Sequence, residues 1–383
     1  HWAVSAVGVE RVAAAHKAAT AMYVDANLGA QLKSAAGADH NASRLIEDVA
    51  LAYELAASER IDELAKASTV IPGSQAELAE AAAHEAFALL RSLPLRTDSL
   101  EELVRQVLQL GALAYCSDRW AEFRSWMRER DITPERFQSS GTWDSRVLSD
   151  LGQIWTRLLR KDGWADLEGV AETVGRLRAD QLENEVELFA AKDRPENVHA
   201  AGWRLVALYH WARLSELVAT YLMQGEPVDV STQLDFHFDR AISAAQQSAD
   251  PAFVVVLQWQ RAMSQRMVAG ALWSVTRIGP EIRNVVATVT RHRSMFEMLP
   301  PQRVAIQEQG LLDPASAAVV VDLPTSAGKT ILAEFKIVQA ISQFKQDRGW
   351  VAYVAPTRAL VAQITRRLRR DLGPSGIRVE ELT

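Results

Sequence analysis

The sequence predicts a mainly α-helical N-terminal region, built of helical hairpins in a solenoid-like stack, followed by the opening of an α/β domain with a parallel sheet. Three observations carry this. Apolar residues recur at three- and four-residue spacing as far as about residue 290, the period of helices that bury one face. The pattern breaks around Gly279-Pro280 and again at Pro300-Pro301. Beyond the break, short apolar runs alternate with helical segments, the order of parallel strands joined by helical crossovers. The expected domains are residues 1–290, with room for two subdomains, and residues 291–383.

Each element has a local reason. Ser74-Gln75-Ala76-Glu77 and Ser99-Leu100-Glu101-Glu102 have the form of a capping box, a hydroxyl for an orphan amide followed by a carboxylate. Leu100, Leu103, Val104, Val107 and Leu108 then share a face. Thr133-Pro134 and Asp250-Pro251 set a capping residue before a proline at the first helical position, which predicts helix starts at both places. Leu214, Leu217, Val218, Tyr221 and Leu222 make one stripe, and Val256, Trp259, Met263 and Met267 another. No fixed period names a repeat family. Ten of the 11 Trp residues precede residue 300, as expected of anchors between helices; as base-stacking platforms they would call for a basic groove, and the sequence displays none. In the second region strands are expected at Ala318–Asp322, at Trp350–Ala355 and from Ile377, with helices at Lys329–Ser342 and Thr357–Asp371. Gly373-Pro374-Ser375-Gly376 reads as a turn.

Composition narrows the function. With 42 basic against 48 acidic residues and a net charge of -6, the chain as a whole is no generic polyanion binder, so any nucleic-acid contact has to come from a local patch. The single cysteine, Cys116, excludes an intramolecular disulfide and a cysteine-cluster zinc site; it is expected as a small core side chain in a reducing, cytoplasmic setting. No apolar run reaches the ~20 residues of a membrane span, so no membrane is expected as a partner. The 8 His are scattered, and His84-Glu85-Ala86-Phe87 lacks the second His of a zinc-protease helix.

The chemistry concentrates in Ala317-Ala318-Val319-Val320-Val321-Asp322-Leu323-Pro324-Thr325-Ser326-Ala327-Gly328-Lys329-Thr330. A short apolar run leads through a tight loop into a helix-forming segment. Backbone amides of such a loop, here Pro324 to Gly328, and of the first helical turn converge on phosphate oxygens, because those donors have no partner inside the helix. Lys329 adds a point charge, and Thr330 offers a hydroxyl to Mg²⁺. Leu323 stands where the full form of this loop has its first glycine, and a plain strand–turn–helix is the competing reading. Farther on, Pro356-Thr357 caps a helix at the end of an apolar run, so free amides and Arg358 can face a phosphate; a plain cap and a surface charge explain the same residues. Arg366, Arg367, Arg369 and Arg370 form the densest basic run, either a solvated helix face or a phosphate-tracking stripe.

Leu299-Pro300-Pro301-Gln302 with Arg303, the loop ending in Gly-Lys-Thr, and Val354-Ala355-Pro356-Thr357-Arg358-Ala359-Leu360 stand in the order that resembles the opening of a superfamily 2 DEAD/DEAH-type helicase motor. Pro-Thr-Ser-Ala-Gly-Lys-Thr followed by Ile-Leu-Ala-Glu looks most like the branch holding archaeal repair helicases and exosome- and spliceosome-associated RNA helicases; large bacterial helicases, including those of anti-phage defence, look similar. The resemblance covers roughly residues 295–383. It implies a RecA-like fold, ATP and Mg²⁺ as cofactors, and DNA or RNA as partner. It implies Gln302 on the adenine edge, the loop with Lys329 and Thr330 on the phosphates and metal, and Pro356, Thr357 and Arg358 on the strand. Phe296 is a candidate to stack on adenine or a core residue.

The acidic metal-holding motif, the coupling motif and the second lobe of such motors are not found before Thr383, so the chain is expected to be the N-terminal part of a helicase or translocase, without hydrolysis of its own. The helical region is expected to dock a protein partner. A nucleotide-regulated scaffold that binds proteins without unwinding is the competing function.

Overall fold

The computed structural model describes residues 2–28, 40–66, 74–190, 195–276, 280–316, 318–324, 328–346 and 349–382. Among them are the helices α1 (Trp2–Val7), α2 (Val9–Leu28), α3 (His40–Ser58), α4 (Ile61–Lys66), α5 (Gln75–Leu90), α6 (Leu100–Cys116), α7 (Trp120–Glu129), α8 (Trp143–Arg160) and α9 (Trp164–Ala190). They continue with α10 (Pro195–Gln224), α11 (Val230–Gln247), α12 (Pro251–Gly270), α13 (Leu272–Val275), α14 (Pro280–Arg293), α15 (Pro300–Gln307), α16 (Lys329–Gln343) and α17 (Arg358–Leu372). The chain divides into two compact units: one of residues 1–160, 166–219 and 229–267, the other of residues 161–165, 220–228 and 268–383.

In the first unit α3 packs on α1, α2 and α5, and α6 packs on α5, α7 and α8. The helices start where side chains cap them. Ser74 Oγ accepts the Glu77 amide at 3.2 Å, Ser99 Oγ the Glu102 amide at 3.1 Å, and Asp250 Oδ1 the Phe253 amide at 3.0 Å. Leu103, Val104, Val107 and Leu108 of the expected α6 face are buried, and so is the whole α10 stripe from Leu214 to Leu222. Thr133-Pro134 departs from expectation: it opens only a four-residue 3₁₀ turn, Pro134–Phe137, and Thr133 makes no side-chain cap. Phe137 is the reason. It turns into the core against Gly152 of α8, where a Cβ would stand 2.6 Å from its ring. Cys116 is the core residue expected, its thiol pushed up to about 12 by burial and so inert as a nucleophile.

A cleft of about 880 Å³ opens within this unit, lined by Leu51, Leu108, Val147, Phe253 and Trp259 among others, with Glu54 in its wall. Burial pushes the Glu54 carboxyl up to about 7, and the 2.6 Å hydrogen bond donated by Gln109 Nε2 only partly opposes it. The folded value lies above the unfolded 4.5, so this group's stabilising contribution is complete below about pH 4.5 and is lost as pH rises through 7. Glu54→Gln is therefore expected to raise stability by about 1–3 kcal/mol at pH 8 and by almost nothing at pH 4. Urea denaturation at the two pH values measures this, and equal gains at both would contradict it.

In the second unit an antiparallel bridge joins Ala271 to Glu297. The Met298 amide donates to Gly270 O at 2.9 Å and the Leu272 amide to Phe296 O at 3.0 Å. At the same place Lys161 Nζ meets Glu297 Oε2 at 2.9 Å, with side chains 0% and 2% exposed. Phe296 is buried, its ring 6.3 Å from that of Trp164, which makes it a core residue and removes it as an adenine platform. The bridge sets the chain on course for Leu299 and α15. α14 packs on both α16 and α17, and α16 buries Ile331, Leu332, Phe335 and Val338.

The two helices of the α/β region thus form within a residue of their expected limits. The three expected strand segments are a different matter: among the described residues Ala318–Asp322, Trp350–Ala355 and the segment from Ile377 carry no strand. Val320 is 94% exposed, Val354 89% and Trp350 82%. A strand exists through lateral pairing, not through its apolar run, and these residues have no ladder partner beside them. Among the described residues no helix is long and apolar enough to cross a membrane.

Candidate functional site

The loop-to-helix junction is built around Gly328. This residue is the N-cap of α16, with φ 69° and ψ 42°, a left-handed conformation that favours glycine. Space demands glycine as well, since a Cβ there would stand 2.5 Å from Gln302 Nε2. Gln302 reaches it from the first turn of α15. Its Nε2 donates to Gly328 O at 3.3 Å, while its Oε1 accepts the Leu299 amide at 3.0 Å, the return half of a capping box whose forward half an apolar Leu299 cannot make. Gln302 is 2% exposed. The structure therefore joins the glutamine to the loop glycine, a contact that spacing alone did not reveal.

Lys329 is exposed and makes no ion pair among the described residues, and Thr330 is half-buried in the first turn of α16. Pro324 is exposed, whereas Thr325, Ser326 and Ala327 lie outside the described residues. A glycine cap, an exposed ammonium and a hydroxyl on one helix N-terminus form a donor set suited to phosphate oxygens and a hard cation. Among the described residues no group of three or more His, Cys, Asp and Glu side chains is placed to hold a metal ion.

Thr357 caps α17 as expected, extended at φ -136° with Oγ1 accepting the Leu360 amide at 3.3 Å. Pro356, Thr357 and Arg358 are all exposed, so the amides of this first turn face solvent beside a guanidinium.

The basic run is split by the fold. Arg367 donates to Glu334 and lies 3.8 Å from Asp371, and Arg370 Nε donates to Asp371 at 2.8 Å. Arg293 of α14 completes the cluster, 2.9 Å from Glu334 and 3.3 Å from Asp371. Glu334 and Asp371 are fully buried. Burial holds the Glu334 carboxyl above its usual range although two guanidinium groups pull it down. Arg366, Arg369 and Arg370 stay on the exposed face, Arg369 donating to Val379 O at 3.0 Å and Arg370 to its chain neighbour Asp371. A continuous stripe of four free guanidinium groups is thereby excluded, because Arg367 ties α17 to Glu334 of α16. The missed signal was Glu334, a carboxylate set among Ile331, Leu332 and Phe335 on the buried side of α16.

With this geometry in view, the comparisons with known proteins point one way. Residues 300–383 match the DEAD/DEAH box helicase family. Activating signal cointegrator 1 complex subunit 3 of Gallus gallus is 41% identical over 66 residues, 16% of this chain and 3% of that protein. The Danio rerio protein of the same name is 40% identical over 67 residues, and RQC trigger complex helicase SLH1 of Saccharomyces cerevisiae 39% over 71; each match covers 16% of this chain and 4% of the relative. The chain thus spans only a few per cent of the length of these relatives, and none of the three is a bacterial defence protein. Residues 300–383, which contain Gln302, the Gly328 junction and the α17 cap, are similar to a DEAD/DEAH box helicase domain.

Proposed function

We propose that the chain is the nucleotide- and strand-binding opening of an ATP-driven nucleic-acid helicase or translocase. Residues 291–383 would carry the motor part and residues 1–290 would form a helical region that docks a protein partner. The observation that carries this reading is the junction at Gly328, where the glycine cap, Lys329 and Thr330 open α16 and Gln302 is bonded to the cap itself. Lys329 would neutralise phosphate charge, the first-turn amides of α16 would donate to phosphate oxygens, and Thr330 would hold Mg²⁺. Bound Mg²⁺ supplies further positive charge against the triphosphate. The open first turn of α17 and Arg358 hold the backbone of DNA or RNA without reading its bases. Leu182 and Val186, exposed one turn apart on α9, suit a surface that a protein partner covers. The lone buried cysteine supports a reducing, cytoplasmic setting.

Two substitutions test the strand contact. Arg358→Ala is expected to weaken binding to all sequences alike and to lower the slope of log K against log salt by about one. Arg367→Ala is expected to leave that slope unchanged and to cost about 1–3 kcal/mol of stability, because its guanidinium faces Glu334 and not solvent. An unchanged slope in Arg358→Ala removes this helix from the interface. A lower slope in Arg367→Ala restores the stripe that the fold excludes.

A further inference from the structure

The first unit carries an aromatic cluster with no part in the site above. α10 and α11 present four rings in series. Tyr209 meets His210 edge-on at 5.3 Å between centroids, His210 lies 5.1 Å from His237, and His237 meets Phe236 edge-on at 5.2 Å. The two imidazoles are hydrogen-bonded through their Nδ1 atoms at 2.8 Å, one donating and the other accepting. The end rings are open to solvent, Tyr209 at 46% and Phe236 at 53%.

The charges around the array favour an anion. The Arg240 guanidinium lies over the Phe236 ring at 5.5 Å. Arg213 and Arg178 share the single carboxylate of Glu216 at 2.7 and 3.0 Å, which leaves one positive charge in excess. Asp235 and Asp239 share the single guanidinium of Arg261, at 2.7 and 2.9 Å, which offsets that excess overall, but by helical spacing both lie on the flank of Phe236 away from His237, so Arg240 is the net charge on the array. Burial, then Arg240 for His210, and for His237 the neighbouring imidazole and Arg213, hold both rings below the ordinary histidine range; none of the charges acting on them is a carboxylate. Exposed flat rings interleaved with guanidinium groups suit a ligand with both π faces and phosphates. An uncharged protein surface would leave the Arg240 guanidinium desolvated and unpaired.

We propose that Tyr209, His210, His237 and Phe236, with Arg213 and Arg240, form a single-strand nucleic-acid contact on the helical region: unpaired bases stack on the two end rings while the guanidinium groups face the phosphates. This contact lies outside the region that resembles a helicase domain and does not depend on the nucleotide or strand contacts at α16 and α17. In the sequence base stacking was weighed for the Trp residues alone; these rings come together only when α10 and α11 meet.

The test uses the chain of residues 1–383 and a labelled oligothymidylate or oligouridylate of roughly twelve nucleotides, read by fluorescence anisotropy without nucleotide. Tyr209→Ala and Phe236→Ala, both at exposed positions, are each expected to weaken binding roughly tenfold, and Tyr209→Phe to keep it. A 5-iodouracil-substituted strand is expected to crosslink to peptides of α10 and α11. Parental affinity in both alanine variants overturns the proposal, as do crosslinks confined to α17. Equal competition by polyglutamate overturns it too, since charge alone would then explain binding. Arg358→Ala separates the two contacts: loss there with intact ring variants sustains the α17 contact and removes this one, and the opposite result does the reverse.

Discussion

Replacing Lys161 by methionine is expected to destabilise the second unit by about 3–5 kcal/mol, since it removes the ammonium that faces the buried Glu297 carboxylate. The pair is buried on both sides, so water cannot take over the role of the ammonium. Its position makes the effect more than local. Glu297 sits in the bridge that binds Phe296 and Met298 to Gly270 and Leu272, and that bridge leads directly into Leu299 and α15. Hydrogen exchange should show the Leu272 and Met298 amides losing protection first, with Gln302 following. Adding Glu297→Gln to the methionine variant should recover much of the loss, because the buried side chain that faced the ammonium is then neutral. A denaturation midpoint within the error of the parent chain would mean that solvent reaches the pair.

Lys329→Ala is expected to weaken binding of an ATP analogue by about 10–100-fold, the range for removing a charge-assisted bond to phosphate. The side chain is exposed on the first turn of α16 and has no ion pair among the described residues, so nothing in the fold depends on it. Far-UV ellipticity and the unfolding transition should match those of the parent. That combination separates a binding role from a structural one. Unchanged affinity would return the glycine-lysine-threonine loop to an ordinary strand–turn–helix connection.

Much of this was legible in the chain. Ser74, Ser99, Asp250 and Thr357 cap helices because a side-chain oxygen next to an amphipathic run has one good use, and that use is local. The start of α17 beside Thr357 followed from the same rule, whereas α16 opens after Gly328 without a side-chain cap. The failures are all non-local. Thr133-Pro134 carries a helix-start signal, yet Phe137 is drawn into the core against Gly152, 15 residues away in the chain, and the turn stops after four residues. Val320 and Val354 read as strand interiors, but a strand needs a neighbour, which no window of its own residues contains. Arg367 looks like one more surface charge until Glu334, 33 residues earlier, is brought beside it from the buried face of α16. At the candidate site, glycine at 328 was legible as a loop residue; the close approach of the Gln302 carboxamide that also requires it was not.

That bond has a consequence for how the protein would sense what it holds. The Gln302 carboxamide is bonded at both ends, to Leu299 and to Gly328, and cannot swing toward an incoming purine without releasing the carbonyl that closes the start of α16. Each bond given up costs about 1 kcal/mol unless the new partner restores it. A base with matching donor and acceptor groups would restore it, and one without them would leave the start of the helix loosened. Discrimination between bases would then be felt as a change in the grip on the triphosphate, through a single side chain.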